Sequence, residues 1–219
     1  MDKSDKIQGK RELQRQSNKD RLYEAMDFFL DGGQYDEIRV RNICLRAELK
    51  TSSFYNIYDS FDVFIFNYLA DSFYSYLRTE HDMIQKSKGL EGIMLLYTLF
   101  DDFFYEKKGV VFTSFFMRKY GASLSLANYM QLDNDAVRAV KTKSAELFHE
   151  AVEMNEIKAS YDPVVIFTYL DCIASGSLYT WCNMGGKVSL HEMNMLLLSG
   201  FFKTQLTDDF YTMLKKTFL

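Results

Sequence analysis

Ser52, Tyr55 and Asn56 recur at helical spacing within the stretch Tyr35 to Phe64, YDEIRVRNICLRAELKTSSFYNIYDSFDVF, and place two hydroxyls and an amide on one side of a short helix. Such a surface donates and accepts hydrogen bonds, which is how side chains read base edges and grip phosphates. Thr51 and Ser53 add hydroxyls, and Lys50 adds a cation. Arg39 and Arg41, just upstream, are charges suited to a phosphate backbone. Catalytic chemistry has no comparable support. His81, His149 and His191 lie far apart and lack metal-ligand spacing, and there is no GxSxG, P-loop or GxGxxG. Asp101-Asp102 and Asp208-Asp209 are sequence neighbours, which point in different directions on a helix. No catalytic residue, metal or cofactor is expected, and the chain does not read as an enzyme.

The elements that must present those hydroxyls are short. Val40, Ile43, Cys44 and Ala47 fall at i, i+3, i+4 and i+7, giving a first small helix one apolar face. Glu48-Leu49-Lys50 breaks the pattern, and a second helix starts at Thr51 with Phe54, Ile57 and Tyr58 turned inward. Two short helices docked through a tight turn, the second with a polar outer face, are what a helix-turn-helix needs to enter a major groove.

These residues resemble the DNA-binding signature of the TetR-type one-component transcriptional regulators. That signature runs aromatic, two variable positions, Thr-x-Val-x-x-Ile-Ala-x-x-Ala-Gly-Val-Ser-x-Gly-x-(Phe or Leu)-Tyr-x-(His or Tyr)-Phe-x-Ser-Lys-x-x-Leu. Without a gap it meets Tyr35, Val40, Ile43, Ala47, Phe54, Tyr55 and Ser60, with Cys44, Leu49, Tyr58 and Phe64 as similar replacements. The chain departs from it at Glu48 and Ser52, where glycines are usual, at Lys50, where a Ser cap is usual, and at Phe61, where a phosphate-binding lysine is usual. The resemblance implies that Tyr55 and Lys50 contact phosphates, a role Phe61 cannot take. It also implies an all-α fold: an N-terminal arm and three-helix DNA-binding domain over 1–60, and a larger C-terminal ligand-binding and dimerisation domain over 61–219.

Composition fits helices. The 219 residues include one Pro, against 19 Phe and 15 Tyr, and 47% are hydrophobic. Net charge is −4, yet Met1 to Arg21 carries seven Lys or Arg against four Asp or Glu. Lys10, Arg11 and Arg15 in that arm are candidate backbone contacts; a solvated terminus explains the same residues. Cys44, Cys172 and Cys182 lack metal spacing, sit in apolar stripes and read as free core thiols of a reducing compartment. With no h-region and no run of 18 apolar residues, a soluble, cytoplasmic protein is expected, with no membrane partner.

In chain order, Met1 to Gln16 reads as a polar, frayed arm, and a first helix starts near Ser17 with Leu22, Ala25, Met26, Phe29 and Leu30 on one stripe. Gly32-Gly33 ends it. Asp59 or Ser60 caps a long helix with the stripe Phe61 to Leu77, the natural lever between the two domains. Leu90 to Tyr105 and Val110 to Tyr120 are apolar nearly all round, either as core or as a pocket wall for a largely apolar effector. The candidate ligand residues are Tyr97, Phe104, Tyr105, Phe115, Phe116, Tyr120, Tyr169 and Ile173.

Gly121 to Asn134 reads as a linker, Asp135 to about Asn155 as a helix, and Val164 to Asn183 as a helix capped by Asp162 with Pro163 in its first turn. Ser189 to Glu192 has the form of a capping box, and Thr207 to Leu219 of a final helix. The resemblance implies that the last two long helices pair with a second subunit. Ala174, Gly176 and Tyr179, with Leu190, Met193, Leu197, Gly200 and Phe201, form the candidate seam.

The expected function is a homodimeric repressor that binds a palindromic double-stranded operator and is released by a small apolar effector. An all-helical protein-binding adaptor that keeps the scaffold with weakened DNA binding is the alternative, motivated by Glu48 and Phe61.

Overall fold

The computed structural model describes residues 3–120 and 134–202 together with Asp208, Thr212 and Lys216, with side chains from Gly9 onward. Every regular element among the described residues is helical. The chain forms two compact units, Met1–Leu69 and Ala70–Leu219, that divide within one helix.

In the first unit, α1 spans Lys3–Asp31, so the stretch expected to fray is helical and Ser17 lies inside the helix instead of capping it. The segment holds no proline and is rich in Lys, Arg, Gln and Glu, which lose little freedom in a helix. Side-chain bonds one turn apart support it, Gln14 to Asn18 at 3.0 Å and Gln16 to Asp20 at 2.7 Å. Leu22, Ala25, Met26 and Phe29 are buried as one stripe. The helix ends with Gly33 at φ 65°, where Gly33 N–H donates to the Leu30 carbonyl and Gln34 N–H to that of Phe29. This is a Schellman stop, which needs the left-handed backbone glycine tolerates.

A 3₁₀ turn at Tyr35–Glu37 leads to α2, Val40–Arg46, which buries Ile43 and Cys44. Its stop repeats the same wiring: Glu48 N–H donates to the Leu45 carbonyl and Leu49 N–H to that of Cys44. Here the left-handed residue is Glu48, at φ 52°. A glutamate pays for that backbone sterically, and its carboxylate faces the negative end of the α2 dipole. Arg21 offsets part of this, its Nη2 lying 3.3 Å from the Glu48 carboxylate and 3.4 Å from its carbonyl oxygen. Glu48→Gly is therefore expected to raise stability by about 0.5–1 kcal/mol, read as a higher urea midpoint. An unchanged midpoint would mean that the Arg21 contact matches the strain.

The short α3, Thr51–Tyr55, has no side-chain cap, because Lys50 stands at that position. Packing holds it instead. Phe54 is fully buried and meets Tyr58 at 5.6 Å, Phe61 at 6.3 Å and Phe64 at 5.3 Å between ring centroids. Phe61 thus belongs to an aromatic cluster. Helix α4, Phe61–Thr79, starts with Val63 N–H donating to Ser60 Oγ at 3.2 Å, the cap expected from the sequence.

The second unit holds the rest of α4 followed by α5 (His81–Lys86), α6 (Gly89–Asp102), a π-helical turn (Phe103–Lys108) and α7 (Gly109–Tyr120). After residues 121–133 come α8 (Asp135–Glu153), α9 (Pro163–Asn183) and α10 (Leu190–Gly200). The linker expected at Gly121 to Asn134 lies outside the described residues except Asn134. The final helix expected from Thr207 does too, except Asp208, Thr212 and Lys216.

Helix α6 is central, packed against α8, α9 and α10. Gly92 lets it approach α8, since a methyl there would enter the Leu147 side chain. Its first amides are satisfied from a distance: Gly89 N–H donates to Glu150 at 3.1 Å and Leu90 N–H to Glu156 at 2.7 Å. The other caps are local, those at Asp162 and Ser189 as the sequence predicts and that at Asn134 in addition. Asn134 accepts from Ala136 and Val137, Asp162 from Val164, and Ser189 from Glu192. The 21-residue α9 is apolar and long enough to cross a membrane by length and composition, the property a core helix shares. Its Val165, Leu170, Ala174, Leu178 and Trp181 are buried within the unit.

Candidate nucleic-acid interface

The α2–α3 unit places its polar side chains by default, because the apolar ones occupy the other side. With Phe54 and Tyr58 buried, Thr51, Ser52, Tyr55 and Asn56 are exposed and Ser53 is half-buried. Tyr55 is 55% exposed while its ring meets Phe54 edge-on at 5.3 Å, so the phenol points outward from a fixed base. Lys50 precedes the helix and is exposed. Arg39 and Arg41 are exposed at the start of α2, and Arg39 Nε donates to the Asp36 carbonyl at 3.1 Å, which anchors its stem. Lys10, Arg11 and Arg15 are exposed along α1, on a helix and not on a loose arm.

Two further arginines of this unit escaped the sequence reading. Arg21 binds Glu48, 27 residues away, and Arg46 lies over the Phe28 ring at 4.1 Å. Neither contact has a local sequence signal. A shallow groove lined by Phe29, Glu37, Asn42, Leu45, Arg46 and Glu48 also lies in this unit. Two carboxylates at its rim make it unsuited to phosphate.

The candidate ligand residues fall into two groups. Tyr97, Tyr169 and Ile173 pack against the core around Leu170. Phe104, Tyr105, Phe115 and Phe116 lie on the π turn and α7, and the Tyr120 side chain is outside the described residues. Tyr97 does not offer a free phenol: its OH donates to Asp171 at 2.7 Å. Burial pushes the Asp171 carboxyl up to about 6, against the opposing effect of that hydrogen bond. Burial, then Asp171, holds the Tyr97 phenol well above its ordinary value. Tyr169 rests on Phe201 at 4.6 Å, a core contact. Phe104 is buried beside Phe100 and Phe103, Phe116 beside Phe112, while Tyr105 is exposed and 5.8 Å from Trp181. Ser177 and Trp181, which the candidate ligand set does not include, are buried one turn apart on α9, and among the described residues their Oγ and Nε1 have no hydrogen-bond partner.

Of the candidate seam, Ala174, Leu190 and Phe201 are buried within the unit. Periodicity marks a stripe, but not whether it turns inward. Gly176, Tyr179 and Leu197 are exposed, as are Leu196, Cys172 and Ser175, while Met193 and Gly200 are half-buried. Cys172, expected in the core, is thus on the outer face of α9, whereas Cys44 is buried, and all three cysteines are free thiols.

Comparison with protein-family models, with curated proteins and with solved structures returns no match to this chain.

Proposed function

We propose that the chain is a homodimeric DNA-binding transcriptional regulator, a repressor released from a palindromic operator by a small, largely apolar effector. The observation that carries the reading is the division of α3: aromatic residues anchor one side, and hydroxyls, a phenol and an amide are exposed on the other. In this reading the first unit is a helix-turn-helix head. Ser52, Asn56 and Thr51 meet base edges, Tyr55, Lys50 and Ser53 meet phosphates and nearby edges, and Arg39, Arg41, Lys10, Arg11 and Arg15 fix register on the backbone.

The exposed Tyr179, Gly176, Leu196 and Leu197 are the surface for a second copy, and two-fold symmetry then sets half-sites one helical turn or a multiple apart. The effector is assigned to the aromatic residues of the second unit, where Ser177 and Trp181 hold unused polar atoms. A coupling of about 1–3 kcal/mol per site suffices for release. Trp181 is the only tryptophan, so an apolar aromatic effector is expected to change the protein's indole emission, a change that Trp181→Phe abolishes.

Sequencing the genomic fragments retained by the purified protein tests the proposal. Recovery of a shared palindrome supports it, and recovery of random DNA or none contradicts it. The adaptor reading is favoured by the exposed Leu45 and Phe28 beside the acidic groove of the first unit. It predicts the second outcome.

A further inference from the structure

Where α6 meets α10, an acid and an amide are buried together. Asp101 is 1% exposed and Asn194 0%. Asn194 Nδ2 lies 3.0 and 2.9 Å from the two carboxyl oxygens of Asp101, while Asn194 Oδ1 has no partner among the described residues. Asp101 occupies the last turn of α6, where the negative end of the helix dipole disfavours another negative charge. Among the described residues its carboxyl is paired with no Lys or Arg. Among the described residues, the charged groups that act at this corner are Asp102 of α6, Glu80 ahead of α5, Glu106 of the π turn and His191 of α10. Asp102 acts on Asp101 directly, and the other three act on Asp102.

We propose that Asp101 and Asn194 form a proton-operated joint between α6 and α10, closed by two reciprocal hydrogen bonds when the carboxyl holds a proton and one-sided when it does not. A carboxylate only accepts, so it can use the amide's N–H but leaves Oδ1 empty, as seen here. A neutral carboxyl has an O–H and a C=O, the complement of an amide's C=O and N–H. Rotation about the soft terminal torsion of Asn194 lets the O–H donate to Oδ1 while Nδ2 donates to the other carboxyl oxygen. Each group then satisfies the other, and the proton moves only between the carboxyl and solvent.

Burial, opposed by Asn194 and aided by Asp102, pushes the Asp101 carboxyl up to about 7. The unfolded chain releases that proton near the ordinary value of about 3.9. The folded state therefore binds the extra proton between those values, so stability falls as pH rises from about 4 toward 7 and is level above. Helix α10 also carries the exposed Leu196 and Leu197, so loosening it would weaken self-association. That consequence alone rests on the proposed dimer.

The test compares the protein with Asp101→Asn, which keeps the shape and supplies the reciprocal amide pair at every pH. Urea midpoints are measured from about pH 5 to about pH 8. The variant is expected to gain on the parent as pH rises, with the gap opening toward neutrality. Asp171 contributes its own slope to both proteins and cancels in the difference. In the unaltered protein, the carbon-13 signal of the Asp101 carboxyl, assigned by its loss in the variant, is expected to titrate near neutral pH. A gap constant with pH, or a carboxyl titrating in the ordinary carboxylate range, overturns the joint. Loss of dimers without either result would bear on the proposed function alone.

Discussion

Phe54→Ala is expected to destabilise the first unit by about 3–5 kcal/mol, the usual cost of emptying a buried aromatic site. Phe54 is 0% exposed and touches rings within and after α3, from Tyr55 through Tyr58 and Phe61 to Phe64. Because α3 has five residues and no side-chain cap, little besides this ring keeps it folded onto its neighbours. Tyr55→Ala, one residue on, should change stability by about 0.5 kcal/mol or little more, since its ring is mainly exposed. Urea unfolding of the two variants checks the pair. Equal losses would contradict the facing of α3.

Gly89→Ala is the second large effect, at about 3 kcal/mol or more. Gly89 has φ 52°, where an alanine costs about 1–2 kcal/mol. A methyl would also enter the Glu156 carboxylate and lie 3.1 Å from Met154 Sδ and 3.3 Å from Ala151 Cα. Displacing Glu156 would strip a cap from the Leu90 amide, a further cost of about 1 kcal/mol. Gly185→Ala is the control: it shares the positive φ, at 61°, but its methyl meets nothing within 4 Å. It should show the backbone cost alone. Thermal unfolding that finds the two variants alike would mean that the Glu156 contact gives way freely.

What the sequence made legible was local. The stripes of α1, α2 and α4 and the caps at Ser60, Asp162 and Ser189 depend on residues within one or two turns, and spacing reports those directly. The helical run from Lys3 to Gln16 was missed because an absence of breakers is a quieter signal than a cap. The π turn was not legible, since its apolar run has the same composition as a helix. Pairings such as Tyr97 with Asp171 and Asp101 with Asn194 join residues 74 and 93 positions apart, and no periodicity announces them. For Leu190 and Phe201 the stripe was visible and its direction was not, because a helix between a core and a possible partner offers apolar residues to both.

The most direct test is a binding titration of a duplex recovered with the protein, at rising salt, for the parent chain and for Tyr55→Ala. Proteins that neutralise several phosphates lose affinity linearly in log salt, by roughly three to five decades between about 50 and 200 mM for six to ten contacts. The parent is expected to bind with such a steep slope and the variant to bind more weakly with a shallower one, while both unfold alike. Absence of binding at the lowest salt, or identical curves for the two proteins, would contradict the assignment of the outer face of α3 to DNA.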